Sequence, residues 1–212
     1  MEAGVIAADD GASDGGAKRR QIMDGARTVF LSGGFDGASM NDVARAAGVS
    51  KGTLYAYFDS KEQLFEALVR EDRSQQAERM CLFPREPGNP REFLAEFGRR
   101  LIEMMIRPEM IAQLRVVIAA TGKFPRLGRA FYEAGPCYGV SKLAEQLRGL
   151  TASGALDIAD SERAARQFID LCKSGVFNAV LFGAIEAVPP HDIDASVDAA
   201  VEVFLRAYGA KA

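Results

Sequence analysis

Apolar residues along this chain recur in steps of three and four and almost nowhere in strict alternation, so the pattern predicts helices from end to end and no sheet. The first predicted helix runs from Lys18 to about Ser32. Its inner face is Ile22, Ala26, Val29 and Phe30, and Gly33-Gly34 stops it, since glycine accepts the left-handed conformation that ends helices. Ser39 then reads as an N-cap with Asp42 three residues on, opening a helix whose face is Met40, Val43, Ala44 and Ala47 and whose end is Gly48. A short third helix spans Ser50 to Tyr57. Asp59-Ser60 opens a fourth with a capping box between Ser60 and Gln63, and its inner face is Leu64, Phe65, Leu68 and Val69. Three capped helices within about forty residues, two of them joined by a tight glycine turn, form the helix-turn-helix pattern.

Beyond this head, the turn-forming stretch Pro84, Pro87, Gly88, Asn89 and Pro90 marks a boundary. Three further helices are predicted to begin at Pro90, Pro108 and Pro125, because proline suits the first helical position. Pro136 falls inside the last of these patterns and predicts a kink or break. Two longer helices close the chain, Asp160 to Gly183 and Asp192 to Tyr208, separated by Pro189-Pro190. The expected organisation is an all-α chain in three parts. Residues 1–17 form a disordered acidic tail, 18–64 a three-helix helix-turn-helix head, and 65–212 a larger helical body.

Charge changes this picture only when it is read locally. The net charge is −3, but the tail carries Glu2, Asp9, Asp10 and Asp14 and no base. From Lys18 to Lys61 seven basic residues stand against four acidic ones, and phosphate binding depends on local charge. The body from Cys81 to Ala212 is balanced, with 16 basic and 16 acidic residues. No apolar run approaches the roughly 18 residues that cross a bilayer, and the acidic start does not read as a secretory signal. Cys81, Cys137 and Cys172 are scattered, which fits buried thiols in a reducing, cytoplasmic setting rather than a disulfide frame. With His191 the only histidine, neither a zinc site nor a catalytic triad is expected, and no cofactor is implied. Gly33, Gly34 and Gly37 lack a preceding strand and read as turn glycines, and Gly122-Lys123 is not a P-loop.

In a helix-turn-helix the second helix enters the major groove, which here assigns Ser50 to Phe58 as the reading helix. Gly52 lets backbone approach the bases, Lys51 and Thr53 reach base edges or phosphates, and Tyr55 and Tyr57 carry hydroxyl donors. Leu54 and Phe58 hold the helix on the head, and Lys61 at the next helix start pairs a cation with polarised N–H groups. The stretch Ile22 to Leu68, centred on GASMNDVARAAGVSKGTLYAYFDSKEQLFEAL, resembles the DNA-binding head of TetR-family transcriptional regulators. The run G-V-S-K-G-T-L-Y-x-Y-F-x-S-K-E-x-L-F carries that resemblance. It implies contacts to operator DNA from Ser39, Asn41, Lys51, Gly52, Thr53, Tyr55, Tyr57 and Lys61; many relatives carry histidine where this chain has Tyr57. The body segment LRVVIAATGKFPRLGRAFYEAGP is similar to the AefR-like subgroup.

A symmetric dimer is expected from two apolar stripes in the last helices, one through Leu171, Gly175, Ala179 and Gly183 and one through Val197, Val201 and Phe204. The alternative is that both stripes are intramolecular core. The expected effector is small and largely apolar, lined by Phe97, Leu101, Met104, Leu114, Val117, Ile118, Phe131 and Tyr138, with Gly135, Pro136 and Gly139 marking a cavity or hinge. Glu103, Arg115 or Tyr138 would supply its polar contacts. The expected function is a ligand-responsive repressor that binds a palindromic operator as a homodimer. The alternative is a helical small-molecule-binding protein or enzyme using the body pocket.

Overall fold

A computed structural model of the chain describes residues 11–80 and 88–210. Eleven α-helices and one π turn make up the regular structure of these residues, and no strand occurs among them. The head comprises α1 (Gly11–Gly37), α2 (Met40–Ala46), α3 (Lys51–Tyr57) and the first turns of α4 (Lys61–Met80). The body comprises α5 (Pro90–Met105), α6 (Pro108–Thr121), α7 (Pro125–Tyr132), α8 (Tyr138–Ala152), α9 (Ser161–Lys173), α10 (Phe177–Leu181) and α11 (Pro190–Tyr208).

The caps read from the sequence form as hydrogen bonds. Ser39 accepts from the Asp42 amide, and Ser50 accepts from the Thr53 amide at 3.0 Å. At α4 the Gln63 amide donates to Ser60 Oγ at 3.1 Å as expected, while the Gln63 side chain reaches one residue past Ser60: the Asp59 amide donates to its Oε1 at 2.6 Å. Gly48 closes the turn between α2 and α3 at φ +62°, where a side chain would be strained. Proline opens α5, α6 and α7 as expected.

Three elements depart from the expectation. The first helix begins at Gly11, so residues 11–17 are helical rather than a tail; residues 1–10 lie outside the described residues, as does most of the 84–90 loop. Gly34, by contrast, ends the regular helix as expected, at φ 67°, ψ 175°, and a separate short helical stretch follows to Gly37. Pro136 does not break the chain. It sits in a π turn, Glu133–Cys137, whose hydrogen bonds reach one residue further and so step over the residue without an N–H. The predicted helix 160–183 is two helices, because Ser174–Val176 leaves the helical ladder between α9 and α10.

Two cores result. In the head, Ile22, Phe30, Val43, Leu54, Phe58, Leu64, Phe65 and Val69 pack together, and Val117, Ala120 and Leu127 of the body join them. The inner face of α4 therefore belongs to the head on both sides of residue 64, and α6 and α7 are shared between head and body. The body core is built by α5, α8, α9 and α11 around Phe97, Phe168 and Phe204. There α5 crosses at Gly98, where an added Cβ would stand 2.8 Å from Val197 Cγ1 and 3.1 Å from Cys172 Sγ. Val197, Val201 and Phe204 are each at most 1% exposed within this core, so they are not dimer contacts. For those three residues the intramolecular alternative holds. Gly175 lies between helices and Gly183 follows α10 at φ +74°, so the spacing of small residues describes no continuous helix face. The close approach at Gly175 is to Ser196 Oγ of the same chain, 3.2 Å from where a Cβ would be.

Candidate nucleic-acid interface and effector cavity

The reading helix is positioned from below by α1. Gln21 and Gly25, one turn apart, both grip Ala47 at the end of α2: Gln21 Nε2 donates to the Ala47 carbonyl at 2.6 Å, and a Cβ on Gly25 would stand 2.6 Å from the Ala47 nitrogen. Only glycine permits that approach. Beyond Gly48, Leu54 and Phe58 bury the inner side of α3. Its outer side leaves Lys51, Gly52 and Tyr55 exposed, and Asn41 is exposed on α2. Gly52 meets nothing nearer than Ser50 Oγ, 3.8 Å from an added Cβ, so the fold does not require a glycine there.

Several of the predicted contact residues already have internal work. Ser39 Oγ caps α2 and donates back to Asp42, and this hydrogen bond first, with Arg45 nearby, holds the Asp42 carboxyl below the usual carboxylate range. Thr53 Oγ1 shares a hydrogen bond with Ser50 Oγ at 2.8 Å. Tyr57 is half-buried against the start of α1, its hydroxyl 3.7 Å from a Cβ added to Gly15. Lys61 corrects the sequence reading most clearly. Its ammonium donates to the carbonyls of Phe35 at 2.7 Å and Ala38 at 2.9 Å and lies 4.4 Å from the Phe35 ring centre. It ties the α1–α2 link to α4 instead of facing outward.

Behind the head, Arg27 of α1 donates to both oxygens of Asp72 on α4, and Gln113 of α6 donates to the same carboxylate at 3.2 Å. Asp72 pushes the Arg27 pKa up, chiefly through that hydrogen bond. This polar clamp joins three helices where head meets body.

The body holds a cavity of about 450 Å³, within the usual range for small-molecule sites. Leu101, Met104, Leu114 and Phe131 line it, as predicted, together with Gly135, Pro136 and Gly139 of the π turn and the start of α8. Four other predicted residues do not. Phe97 points into the body core, and Val117 points into the shared head core. Ile118 is 56% exposed, and Tyr138 lies outside the lining with Lys142 over its ring. Met105, Met110, Tyr132, Val140, Ile169 and Phe177 complete the apolar wall. None of the three polar candidates serves: Glu103 is exposed, and Arg115 donates to the Val180 and Leu181 carbonyls at 3.0 Å. The charged groups at the cavity are Arg166, Asp170 and Lys173, on one face of α9. Their i, i+4, i+7 spacing was legible, but the split of that helix, which decides what the face looks at, was not.

Among the described residues no group of histidine, cysteine and carboxylate side chains could hold a metal ion, and no helix is long and apolar enough to cross a membrane. Cys172 is buried, and burial pushes its thiol up to about 12; Cys137 is exposed.

The capped α2–turn–α3 unit on a helical body with an apolar cavity defines a helix-turn-helix DNA-binding regulator. Residues 22–68 match the bacterial regulatory proteins of the tetR family, and 92–210 match the C-terminal domain of AefR-like transcriptional repressors, so the chain belongs to the TetR family. It is 42% identical over 104 residues to the transcriptional repressor AcnR of Corynebacterium efficiens, covering 46% of this chain and 50% of that one. The chain thus spans about half the length of this curated relative. A TetR-family regulator from Mesorhizobium loti has the same fold, with a TM-score of 0.85 at 31% identity over 92% of this chain and 98% of that one. The flavonoid-responsive regulator FrrA superposes with a TM-score of 0.81 at 33% identity, over 93% of this chain and 100% of that one.

Proposed function

We propose that this protein is a transcriptional repressor that binds a palindromic operator as a homodimer and releases it on binding a small, largely apolar effector. The observation that carries the reading is the outward face of α3. Lys51, Gly52 and Tyr55 are exposed there while Leu54 and Phe58 seat the helix, and Asn41 and Ser39 flank it on α2. Lys61 contributes by fixing the α1–α2 link, and the N–H groups of the first turn of α4 take the phosphate role given to its side chain.

The dimer would use the outer surfaces of α9 and α11, where Leu171 and Val203 border a shallow groove, with Phe182, 83% exposed, beyond α10. Ala179 is half-buried beside it. The effector would occupy the body cavity, and α6 supplies the route to the head. Met110 and Leu114 face the cavity, Gln113 holds Asp72, and Val117 and Ala120 enter the head core. A ligand that favours one placement of α6 shifts the spacing of the two reading helices. The flavonoid response named for FrrA supports an aromatic effector class. Mobility-shift titration with DNA flanking this protein's own gene tests the reading: a sequence-specific complex, competed by unlabelled flank but not by bulk DNA, is expected. Equal affinity for unrelated DNA would overturn it.

A further inference from the structure

The apolar wall of the body cavity is interrupted at one edge only by side chains with full charges, and these come from a single helix. Arg166, Asp170 and Lys173 of α9 border the cavity alongside Ile169. The two cations are held by carboxylates of their own helix: Arg166 donates to Glu162 at 2.9 Å, and Lys173 forms an ion pair with Asp170 at 2.5 Å. The exposures of the partners differ in a telling way. The Lys173 side chain is 29% exposed against 56% for Arg166 and 70% for Asp170, so the lysine is the more enclosed of the two cations that border the cavity, and its carboxylate is the more exposed member of the pair. Pairs of this exposed i, i+3 and i, i+4 kind contribute little, and water competes for the carboxylate. An anion delivered by a ligand that is otherwise desolvated in the cavity meets the same ammonium without that competition.

We infer that the effector is an amphipathic organic acid, a ring system or chain that fills the Met- and Phe-lined cavity and carries one anionic group, which Lys173 and Arg166 bind by displacing Asp170 and Glu162. Asp170 is then the specificity element. It keeps the mouth neutral while the cavity is empty and leaves the cations when an acid enters. A neutral molecule of the same shape gains the apolar contacts but leaves the pairs as they were. A dianion meets only two cations with Asp170 close by, which disfavours nucleotides and other polyanions. This inference rests on the body cavity being the effector site.

The test uses two fluorescent probes of one skeleton, 8-anilinonaphthalene-1-sulfonate and the neutral 1-anilinonaphthalene, titrated into the full chain. The charged probe should bind more tightly than the neutral one. Lys173→Met should weaken the charged probe by about tenfold, in line with one charge-assisted hydrogen bond, and leave the neutral one within about twofold. Asp170→Asn, at an exposed position, should tighten the charged probe, a change opposite in sign to any loss from misfolding. Leu101→Trp should weaken both probes. If the two probes bind alike and Lys173→Met and Asp170→Asn treat them alike while Leu101→Trp excludes both, the cavity is the site and the anionic requirement is wrong. If Leu101→Trp affects neither probe, the cavity is not where they bind, and the reading beneath this inference falls with it.

Discussion

Gly52→Ala separates the demands of the fold from those of the DNA. An added Cβ meets only Ser50 Oγ, at 3.8 Å, which is ordinary contact, and the backbone there is helical, so no strain is introduced. Alanine is favoured over glycine in a helix interior by up to about 1 kcal/mol. For a chain of this length that raises the melting temperature by at most about 2–4 °C. On DNA the sign reverses. The methyl occupies the space through which the α3 backbone approaches the groove, and losing a well-made base contact costs roughly 1–3 kcal/mol, or about 5- to 150-fold in affinity. Differential scanning fluorimetry and an anisotropy titration on the operator, run on the same preparation at one salt concentration, read the two effects. Unchanged affinity alongside an unchanged or raised melting temperature would refute the placement of α3 in the groove. A large fall in melting temperature would refute the contact analysis at this position.

Gly25→Ala should behave oppositely, since its Cβ would meet the Ala47 backbone; about 1–3 kcal/mol of destabilisation is expected, while Gly33→Ala, with open space around it, should be neutral or stabilising. Urea melts followed by circular dichroism distinguish the two. Lys61→Ala should lower stability, through loss of two carbonyl contacts, and leave the log–log salt slope of operator binding unchanged; a slope smaller by about one unit would show a phosphate contact instead. Cys172 keeps its proton in the folded state up to about pH 12, whereas the unfolded chain releases it near the ordinary 9.0. The native state therefore loses this contribution as pH rises from about 9 toward 12, and peptide mapping should find Cys172 alkylated only after unfolding.

The caps and starts of most helices were legible because they depend on neighbours in sequence: Ser39, Ser50, Ser60 with Gln63, and the three leading prolines act within one turn. The reading helix followed from the same local rules. What the sequence withheld depends on distant partners. Lys61 has the same local signature whether its ammonium faces a phosphate or the Phe35 carbonyl, and only the packing of α1 against α4 decides. Gly25 and Gly98 mark real close approaches, yet nothing local sets them apart from Gly175 or Gly183. The stripe Val197, Val201 and Phe204 has the pattern of any buried face, and it took the position of α5 and α9 to show that one chain covers it. Half of the predicted cavity lining failed for a related reason: α5 and α6 each have two apolar faces, and Phe97 and Val117 lie on those turned to a core.

Operator recognition by a homodimer requires two reading helices presented together to one operator. Hydroxyl-radical footprinting of the bound DNA, with sedimentation of the same complex, measures this directly. Two protected patches of matching sequence, related by a two-fold axis and separated by one helical turn (about 34–36 Å) or a multiple of it, are expected, with an even number of chains per site. Addition of 8-anilinonaphthalene-1-sulfonate at saturating concentration should erase both patches together. A single protected half-site bound by one chain, or protection spread evenly along the duplex, would contradict it.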